Sequence, residues 1–262
     1  MSDYETVHIE QHGAVAVVSL NRPDVLNSFS AALRRDILLA ARQVNDDDSV
    51  RVVILTGAGR AFSAGADLGE VPASGESFRV EDQLNGEFKP SLLEIMEAPK
   101  PWISAVNGPC AGIGSAYAMA CDLTVMAEDA FVYQAFSAIS LVPDGGATWH
   151  LVRTLGRKRA YEVIVTGEKV KAGKCLDWGL CNRVVPAEQL LNETLAWAQE
   201  LAGKAPLSLR YAKQALNGAI ENTVGDTISA EAKLQHICIN SDDAKEGVAA
   251  FLQKRAPDWQ GR

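Results

Sequence analysis

The sequence lacks the features that mark membrane, secreted and redox-active proteins. None of its apolar runs approaches the roughly 18 residues needed to span a bilayer. Its N-terminus has neither the basic nor the apolar region of a signal peptide. The five cysteines show neither CxxC spacing nor a paired framework, and most lie beside apolar residues, as reduced thiols do. We therefore expect a protein of the cytoplasm that does not enter the membrane.

Positive charge is also scarce, because the 33 acidic residues outnumber the 25 lysines and arginines. The net charge is −8 and the pI is about 5.1. Such a chain as a whole repels nucleic acid and anionic membranes, so we expect neither as a partner. An anionic ligand would have to be met by locally placed cations. With 262 residues, 47% of them hydrophobic, the chain is long enough to bury a sizeable core.

Short apolar runs predict strands at 14–20, 51–57, 102–108 and 122–127, and 30–44 has the pattern of an amphipathic helix with Ser30 as its N-cap. This alternation favours an α/β fold. After residue 186 only helices are predicted, at 187–203, 206–221, 224–239 and 243–254. We expect an α/β core over 1–200 and a helical region over 201–262 that docks on the core or on another subunit. The polar segment 72–86 is predicted to be a mobile loop.

Two glycine-containing loops follow predicted strands. The first, 57-GAGRAF-62, begins like a dinucleotide-binding GxGxxG, but Phe62 replaces the third glycine and a ribose-binding acid is missing further on. It continues as 61-AFSAGADL-68, whose small residues allow close approach of a ligand and whose Asp67 can cap the next helix. The second loop, 106-VNGPCAGIGSAYAMACD-122, leads into a small-residue helix. Free backbone N–H groups at such turns suit a developing oxyanion, although each loop alone is more often only a tight turn.

Together with 21-NRPDVLNSFS-30 and 246-EGVAAFLQKRAPDW-259, these loops resemble the crotonase family, the enoyl-CoA hydratase/isomerase superfamily. The resemblance implies a spiral of ββα turns with a C-terminal helical trimerisation region, assembled as a homotrimer or a dimer of trimers. It implies an acyl-CoA thioester as substrate and no separate cofactor or metal, since coenzyme A is part of the substrate. The thioester carbonyl would accept hydrogen bonds from the backbone N–H groups of Ala66 and Ile113, the latter between Gly112 and Gly114.

The resemblance also assigns the coenzyme A contacts. The adenine would meet the loop made of Ala64, Gly65, Ala66, Asp67 and Leu68. The phosphates would meet Arg22 and Lys254, the lysine reaching the site of a neighbouring subunit. Both cations have an equally acceptable interpretation as solubilising surface charge.

Hydratases of the family carry two glutamates, because hydration needs one group to activate water at C3 and another to manage the proton at C2. This sequence departs from them, since the matching positions are Ala116 and Phe136. A third acid position of the family is occupied by Asp144, in 139-ISLVPDGGATWHL-151, a stretch most similar to the 1,2-epoxyphenylacetyl-CoA isomerase group. Pro-Asp-Gly is also an ordinary β-turn sequence. With both loops present, we favour Asp144 as a catalytic acid/base whose pKa is raised by apolar neighbours, namely Phe136, Leu141, Val142 and Trp149.

The leading hypothesis is therefore an acyl-CoA isomerase that moves a double bond by a 1,3-proton shift, with Phe136 shaping an apolar pocket and residues 70–95 deciding the acyl group. One alternative is a hydratase or lyase that uses Asp144 and a bound water on an unusual acyl-CoA. Another is a non-catalytic subunit that binds CoA esters. A dehalogenase with Asp144 as nucleophile would need a histidine base, but the nearby His150 is expected to be structural. Asp122 is expected to pair at the end of a strand or helix.

Overall fold

In the computed structural model, which describes residues 4–70 and 79–262, a six-stranded sheet forms the centre of the protein. The nine strands of the described residues are β1 (Val7–His12), β2 (Val15–Leu20), β3 (Val52–Gly57), β4 (Trp102–Val106), β5 (Pro109–Ala111), β6 (Leu123–Ala127), β7 (Phe131–Tyr133), β8 (Lys169–Lys171) and β9 (Arg183–Val185). The large sheet has the order β1-β2-β3-β4-β6-β9, and its pairs are parallel except β1 with β2.

A second sheet of three strands, in the order β5-β7-β8, gives the chain its spiral course. The chain leaves the large sheet after β4 to form β5, returns as β6, leaves again for β7 and β8, and returns as β9. Each turn of this path advances by one strand in the large sheet. The predicted α/β spiral is thereby confirmed.

The described helices are α1 (Ala31–Asp46), α2 (Val80–Gln83), α3 (Lys89–Met96), α4 (Ile113–Ala120), α5 (Ala147–Thr166), α6 (Ala172–Asp177), α7 (Leu190–Ala202), α8 (Pro206–Ala219), α9 (Val224–Ile239) and α10 (Asp242–Gln253). The side chain of Ser30 caps α1, as predicted, by accepting a hydrogen bond from the N–H of Leu33 at 3.3 Å. On α1 the buried face includes Leu33, Ile37, Ala40, Ala41 and Val44, so the 3.6-residue period of apolar side chains explains why it packs on the sheet.

The four strands predicted from continuous apolar runs are confirmed to within two residues at each end. Strands β5, β7, β8 and β9 were not predicted, because three residues are too few to show a period of two, and β1 was not predicted either. The predicted loop at 72–86 needs correction, since the chain is helical from Val80 onwards and passes through a π-helical turn, Leu84–Phe88, into α3. Its first part, 72–78, lies outside the described residues.

The four helices predicted for the C-terminal region are confirmed as α7 to α10, and the predicted domain boundary after residue 200 lies two residues before the end of α7. Helix α8 docks on the core, because Nζ of Lys213 donates to the carbonyl of Ile95 at 2.8 Å and to Asp122 at 2.9 Å. Helix α9 has no buried residue, and Phe251 on α10 is 83% exposed. Self-association stays a prediction that these uncovered apolar side chains support.

Candidate active site

The first glycine loop presents a free backbone donor. Residues Phe29 and Ala66 form an isolated parallel bridge, in which the N–H of Phe29 donates to the carbonyl of Gly65 at 2.8 Å and the N–H of Asp67 donates to the carbonyl of Phe29 at 3.2 Å. This pattern uses the groups on either side of Ala66 and turns its own N–H away from the bridge. Within residues 4–70 and 79–262, that N–H meets no acceptor.

The second loop presents another free donor at the start of α4. Residue Gly112 adopts φ +51°, and its N–H donates to the carbonyl of Tyr133 at 2.9 Å, which leaves Ile113 as the first residue of the helix. A first-turn N–H has no intrahelical acceptor, and in the part of the chain that the structure describes the N–H of Ile113 finds no other. The hydroxyl of Ser115 fixes the turn by donating to the carbonyl of Gly112 at 2.7 Å.

The two loops lie against each other. The N–H of Ser63 donates to the carbonyl of Pro109 at 3.1 Å, and the N–H of Ala111 donates to the carbonyl of Ser63 at 2.8 Å. A β-carbon added at Gly114 would lie 2.6 Å from Cβ of Ser63, so this close approach requires glycine. The fold therefore brings together the two loops that carry the predicted oxyanion donors, which are about 45 residues apart in sequence.

The turn that contains Asp144 packs on the start of α4. A β-carbon added at Gly145 would overlap Cδ1 of Ile113 and lie 3.0 Å from Cβ of Ala116 and 3.4 Å from Cδ1 of Leu92. Burial raises the pKa of Asp144 to about 6. Its Oδ1 is buried and has no hydrogen-bond partner among the described residues. The turn that carries this half-buried carboxylate thus packs on the side chain of Ile113, the residue whose N–H is free.

Both positions at which hydratases carry glutamate are apolar and buried here. The side chain of Ala116 is fully buried behind the turn at Gly145, and that of Phe136 is 6% exposed. The ring of Phe136 lies near the second loop, since a β-carbon added at Gly112 would be 3.8 Å from its Cζ. That Phe136 shapes an apolar acyl pocket stays a prediction.

The neighbours of Asp144 differ in part from those predicted. Leu141 and Val142 are 55% and 79% exposed, so they do not enclose the carboxylate within a single chain. The apolar contacts of the turn come instead from Ile113, Ala116 and Leu92. Sequence reasoning missed Leu92 because its helix, α3, reaches the turn from more than 50 residues away, although it lies within the segment 70–95 predicted to line the pocket.

The side chains of Trp149 and His150, which follow the turn, contact each other and a neighbouring arginine. The indole of Trp149 lies under the guanidinium of Arg153, 4.1 Å from ring centroid to Cζ, and contacts the ring of His150. Burial, together with the charge of Arg153, lowers the pKa of His150 to about 4, so the imidazole is neutral at pH 7. As predicted, Asp122 pairs at the end of an element, with the N–H of Trp102 at 2.8 Å.

The predicted coenzyme A residues lie in two separate places. Arg22 donates to Asp67 at 2.8 Å and to the carbonyl of Ser28 at 2.6 Å, and the bond from Arg22 lowers the pKa of Asp67. Asp67 was predicted to cap a helix, and its carboxylate accepts from the N–H of Gly69 at 3.1 Å in what is only a three-residue 3-10 turn, Leu68–Glu70. Lys254 lies at the exposed end of α10 with φ +53°. The roles of Arg22 and Lys254 in phosphate binding stay predictions.

The other residues of the first loop that were predicted to contact coenzyme A lie on both sides of Ala66. The N–H of Ala64 donates to the carbonyl of Leu26 at 2.8 Å, Gly65 adopts φ +101°, and Leu68 is 59% exposed.

Among the described helices none is long and apolar enough to cross a membrane. Residues 4–70 and 79–262 contain no group of three His, Cys, Asp or Glu side chains that could hold a metal ion.

Comparison with known proteins adds three findings. A family model described as enoyl-CoA hydratase/isomerase matches residues 10–262. The chain is 36% identical, over the full length of both proteins, to the 1,2-epoxyphenylacetyl-CoA isomerase of Escherichia coli K12, and 36% identical over 99% of each to a probable enoyl-CoA hydratase of Rhodobacter capsulatus. A crystal structure of an enoyl-CoA hydratase subunit I from Geobacillus kaustophilus superposes with a TM-score of 0.93 over 100% of both chains at 35% identity.

Proposed function

The chain belongs to the enoyl-CoA hydratase/isomerase family, whose members act on acyl-CoA thioesters, and we propose that within it this protein is an isomerase that moves a carbon–carbon double bond. The reaction would convert a 3-enoyl-CoA into a 2-enoyl-CoA, or open a ring as in the epoxyphenylacetyl-CoA type. The match to an isomerase supports this choice, whereas the equally similar probable hydratase supports the rival reaction.

The first requirement of the proposed reaction is stabilisation of an enolate. The thioester oxygen would accept hydrogen bonds from the N–H groups of Ala66 and Ile113, which find no acceptor in the parts of the chain described, residues 4–70 and 79–262. These dipoles are fixed before the substrate binds, so they stabilise the negative charge that develops on oxygen without reorganisation. Removing one donor of this kind typically costs about 2.7–4 kcal/mol of transition-state stabilisation.

The second requirement is a group that removes and returns a proton. Asp144 as carboxylate would take a proton from C2 of the 3-enoyl thioester, giving a dienolate, and would return the same proton at C4, so that the double bond moves to C2–C3 and the acid regenerates its charge. A pKa of about 6 leaves most of the carboxylate ionised at pH 7 yet makes it a stronger base than a solvated aspartate. The acid limb of kcat/KM should therefore lie near pH 6.

One observation carries the proposal: Oδ1 of Asp144 is buried without a partner among the described residues, while the two hydratase positions hold Ala116 and Phe136. A structural carboxylate in such a place would be paired, because leaving a buried polar atom unsatisfied costs free energy. Hydration needs one group for water and another for the proton at C2, whereas a 1,3-shift needs one carboxylate.

Replacement of Asp144 by asparagine tests this assignment. The Asp144→Asn variant should isomerise a 3-enoyl-CoA about 10²–10⁴-fold more slowly, because its amide cannot act as a base. Its affinity for a saturated acyl-CoA should stay within a few fold. Asp129→Asn, an exposed acid elsewhere on the chain, serves as the control and should keep full activity. Retained turnover in Asp144→Asn would sink the assignment.

The same assays separate the two rival functions. Hydration of crotonyl-CoA at a rate comparable with isomerisation would favour a hydratase, which the names of several relatives favour. Binding of acyl-CoA esters with no solvent-deuterium exchange at C2 or C4 would favour a non-catalytic binding subunit. A panel of straight-chain, branched and ring-derived esters would also identify the acyl group, and with it a role in fatty-acid or phenylacetate metabolism.

We also propose that the protein works in the cytoplasm as a homotrimer or a dimer of trimers. The support lies in the apolar side chains that α9 and α10 leave uncovered, among them Ile228, Ile239 and Phe251, which are 60%, 58% and 83% exposed. Burying such residues between subunits would stabilise the assembly by roughly 25 cal/mol for each Å² of apolar surface removed from water.

A further inference from the structure

Arg34 is a buried cation on α1 that the proposed reaction does not use. Only 5% of the residue is exposed, and its Nη1 donates to the carbonyl of Phe29 at 2.9 Å and to Glu70 at 3.0 Å. Its Nε donates to Glu87, and its guanidinium lies over the ring of Phe88 at 5.4 Å. Burying a charge is costly unless it is paired and hydrogen-bonded, so this set of partners fixes the side chain in one arrangement.

The carbonyl of Phe29 joins Arg34 to the first oxyanion loop. That oxygen also accepts the N–H of Asp67, while the N–H of Phe29 donates to the carbonyl of Gly65, so the backbone of Phe29 holds both neighbours of Ala66. Further along the loop, two donors on α1 hold the carboxylate of Glu70. The N–H of Ala31 donates to its two oxygens at 2.8 and 3.0 Å, and Nη1 of Arg34 donates to Oε2 at 3.0 Å. The orientation of Ala66 therefore depends on a loop anchored before and after it.

An aromatic stack joins the same arginine to the second oxyanion loop. The ring of Phe88 lies 5.8 Å from that of Phe29, which in turn stacks on Tyr117 with centroids 4.4 Å apart. Tyr117 belongs to α4, the helix that begins at Ile113, and its hydroxyl is 2.5 Å from Oγ of Ser91 on α3. The contacts of Arg34 thus reach both loops that carry the free N–H groups.

We propose that Arg34 is a positioning residue for the oxyanion hole, setting the direction of the Ala66 N–H through the carbonyl of Phe29 and the carboxylate of Glu70. The proposal rests on the proposed function, since it assumes that this N–H binds a thioester carbonyl. A hydrogen bond to a developing charge is sensitive to small displacements, and misplacement by about 1 Å costs up to 10²-fold in rate.

Asp36 provides a matched control on the same helix. It is 2% exposed and accepts hydrogen bonds from the N–H and hydroxyl of Thr6, at 3.0 and 2.9 Å, on the side of β1. Asp36→Asn and Arg34→Met should both lower the free energy of unfolding, because each removes a buried charge from its partners. Only Arg34 contacts the backbone that holds the oxyanion loop.

The experiment measures the carbonyl stretch of bound hexanoyl-CoA labelled with ¹³C at the carbonyl, together with kcat and KM for a 3-enoyl-CoA. In the wild type the stretch should lie at lower frequency than in free ester, which reports the hydrogen bonds of the oxyanion hole. In Arg34→Met the stretch should return towards the free value, and kcat should fall about 10–100-fold while KM changes less than about threefold. Arg34→Lys should restore part of both, since it keeps the charge but not the fork of donors. Asp36→Asn should leave both unchanged.

The possible failures are distinguishable. An unshifted stretch in bound wild-type protein would overturn the oxyanion hole and with it the proposed function. A shifted stretch in the wild type that Arg34→Met leaves in place would overturn the role of Arg34 alone. If Arg34→Met does not fold, Arg34→Lys and Glu70→Gln decide, because both weaken the link to the loop and should move the stretch in the same direction. No movement in either would contradict the proposal.

Discussion

Two partly buried aspartates lie at opposite ends of α4, and they differ in the groups that hydrogen-bond to their carboxylates. At the C-terminal end, Asp122 accepts from Nζ of Lys213 at 2.9 Å and from the N–H of Trp102 at 2.8 Å. At the N-terminal end, the turn of Asp144 packs on Ile113, and Oδ1 of that aspartate has no partner in the described residues. One helix thus separates a paired carboxylate from an unpaired one.

Burial raises the pKa of both aspartates, so burial alone does not distinguish the structural acid from the reactive one. At Asp122 the charge of Lys213 and three hydrogen bonds, from Lys213, from the N–H of Trp102 and from its own N–H, oppose the desolvation, whereas at Asp144 only its own backbone N–H does. The difference lies in the partners, and it predicts different responses to mutation at the two ends.

The largest effect on stability is expected for Lys213→Met. This change leaves the charge of Asp122 without its buried partner, and breaking such a pair typically costs 3–5 kcal/mol. Because Asp122 keeps 25% of its side-chain surface exposed, we expect a loss near the lower end, about 3 kcal/mol, in urea unfolding. Activity at a temperature where the variant is folded should stay near the wild-type value, because among the described residues neither Lys213 nor Asp122 makes a hydrogen bond to the turn of Asp144.

The double variant Lys213→Met/Asp122→Asn is the control for this interpretation. Removing both charges should recover part of the lost stability, since the asparagine leaves no ion unpaired. A loss below about 1 kcal/mol in the single variant would mean that solvent screens the pair and that the two ends of α4 are less different than the contacts indicate.

The unpaired acid could be predicted from the sequence, whereas the partners of the paired one could not. The loops that carry Ala66 and Ile113 are continuous stretches in which glycines, small residues and a following helix appear in order, so their resemblance to a known family is visible in the sequence. Asp144 lies in a Pro-Asp-Gly turn of the same kind. By contrast, Lys213 is 91 residues from Asp122, and its position in an amphipathic helix gives no sign of what it meets.

The same limit explains the other differences between expectation and structure. Exposure of Leu141 and Val142 depends on which way a turn faces, and an apolar run does not specify that. The packing of Leu92 against the turn of Asp144 depends on the path of the chain between β3 and β4. The buried partners of Arg34, by contrast, had a signal in the sequence. Arg34 interrupts the apolar face of α1 between Leu33 and Ile37, and a charge on a buried face indicates a buried partner.

A smaller effect is expected in the pH dependence of stability. The folded-state pKa of Asp144 is raised from 3.8 to about 6, so its contribution to stability is present below about pH 4 and is lost as the pH rises through 6. Asp144→Asn should therefore be more stable than the wild type at pH 7 by about 1–3 kcal/mol and equal to it near pH 4. One pKa unit corresponds to about 1.4 kcal/mol, and partial exposure of Asp144 reduces the full value.

The neighbouring His150 is expected to change stability with pH in the opposite direction to Asp144. Its folded-state pKa is lowered from 6.5 to about 4, so its contribution is present above pH 6.5 and is lost as the pH falls towards 4. Urea midpoints measured from pH 4.5 to 7.5 should rise more steeply with pH in Asp144→Asn than in the wild type, and less steeply in His150→Gln. Equal slopes in Asp144→Asn and wild type would show that Asp144 is solvated.

The smallest expected effect is the difference in stability between alanine variants of the two glycines that follow Asp144. Both have positive φ, +60° at Gly145 and +84° at Gly146, so alanine strains either position by about 1–2 kcal/mol. A β-carbon at Gly145 would also overlap Ile113 and press on Ala116, whereas at Gly146 its nearest neighbour is 3.8 Å away. Gly145→Ala should therefore lose about 1 kcal/mol more than Gly146→Ala in urea unfolding, and about tenfold more in kcat, as the turn moves from α4. Equal kcat in the two variants would mean that the position of Asp144 does not depend on this contact.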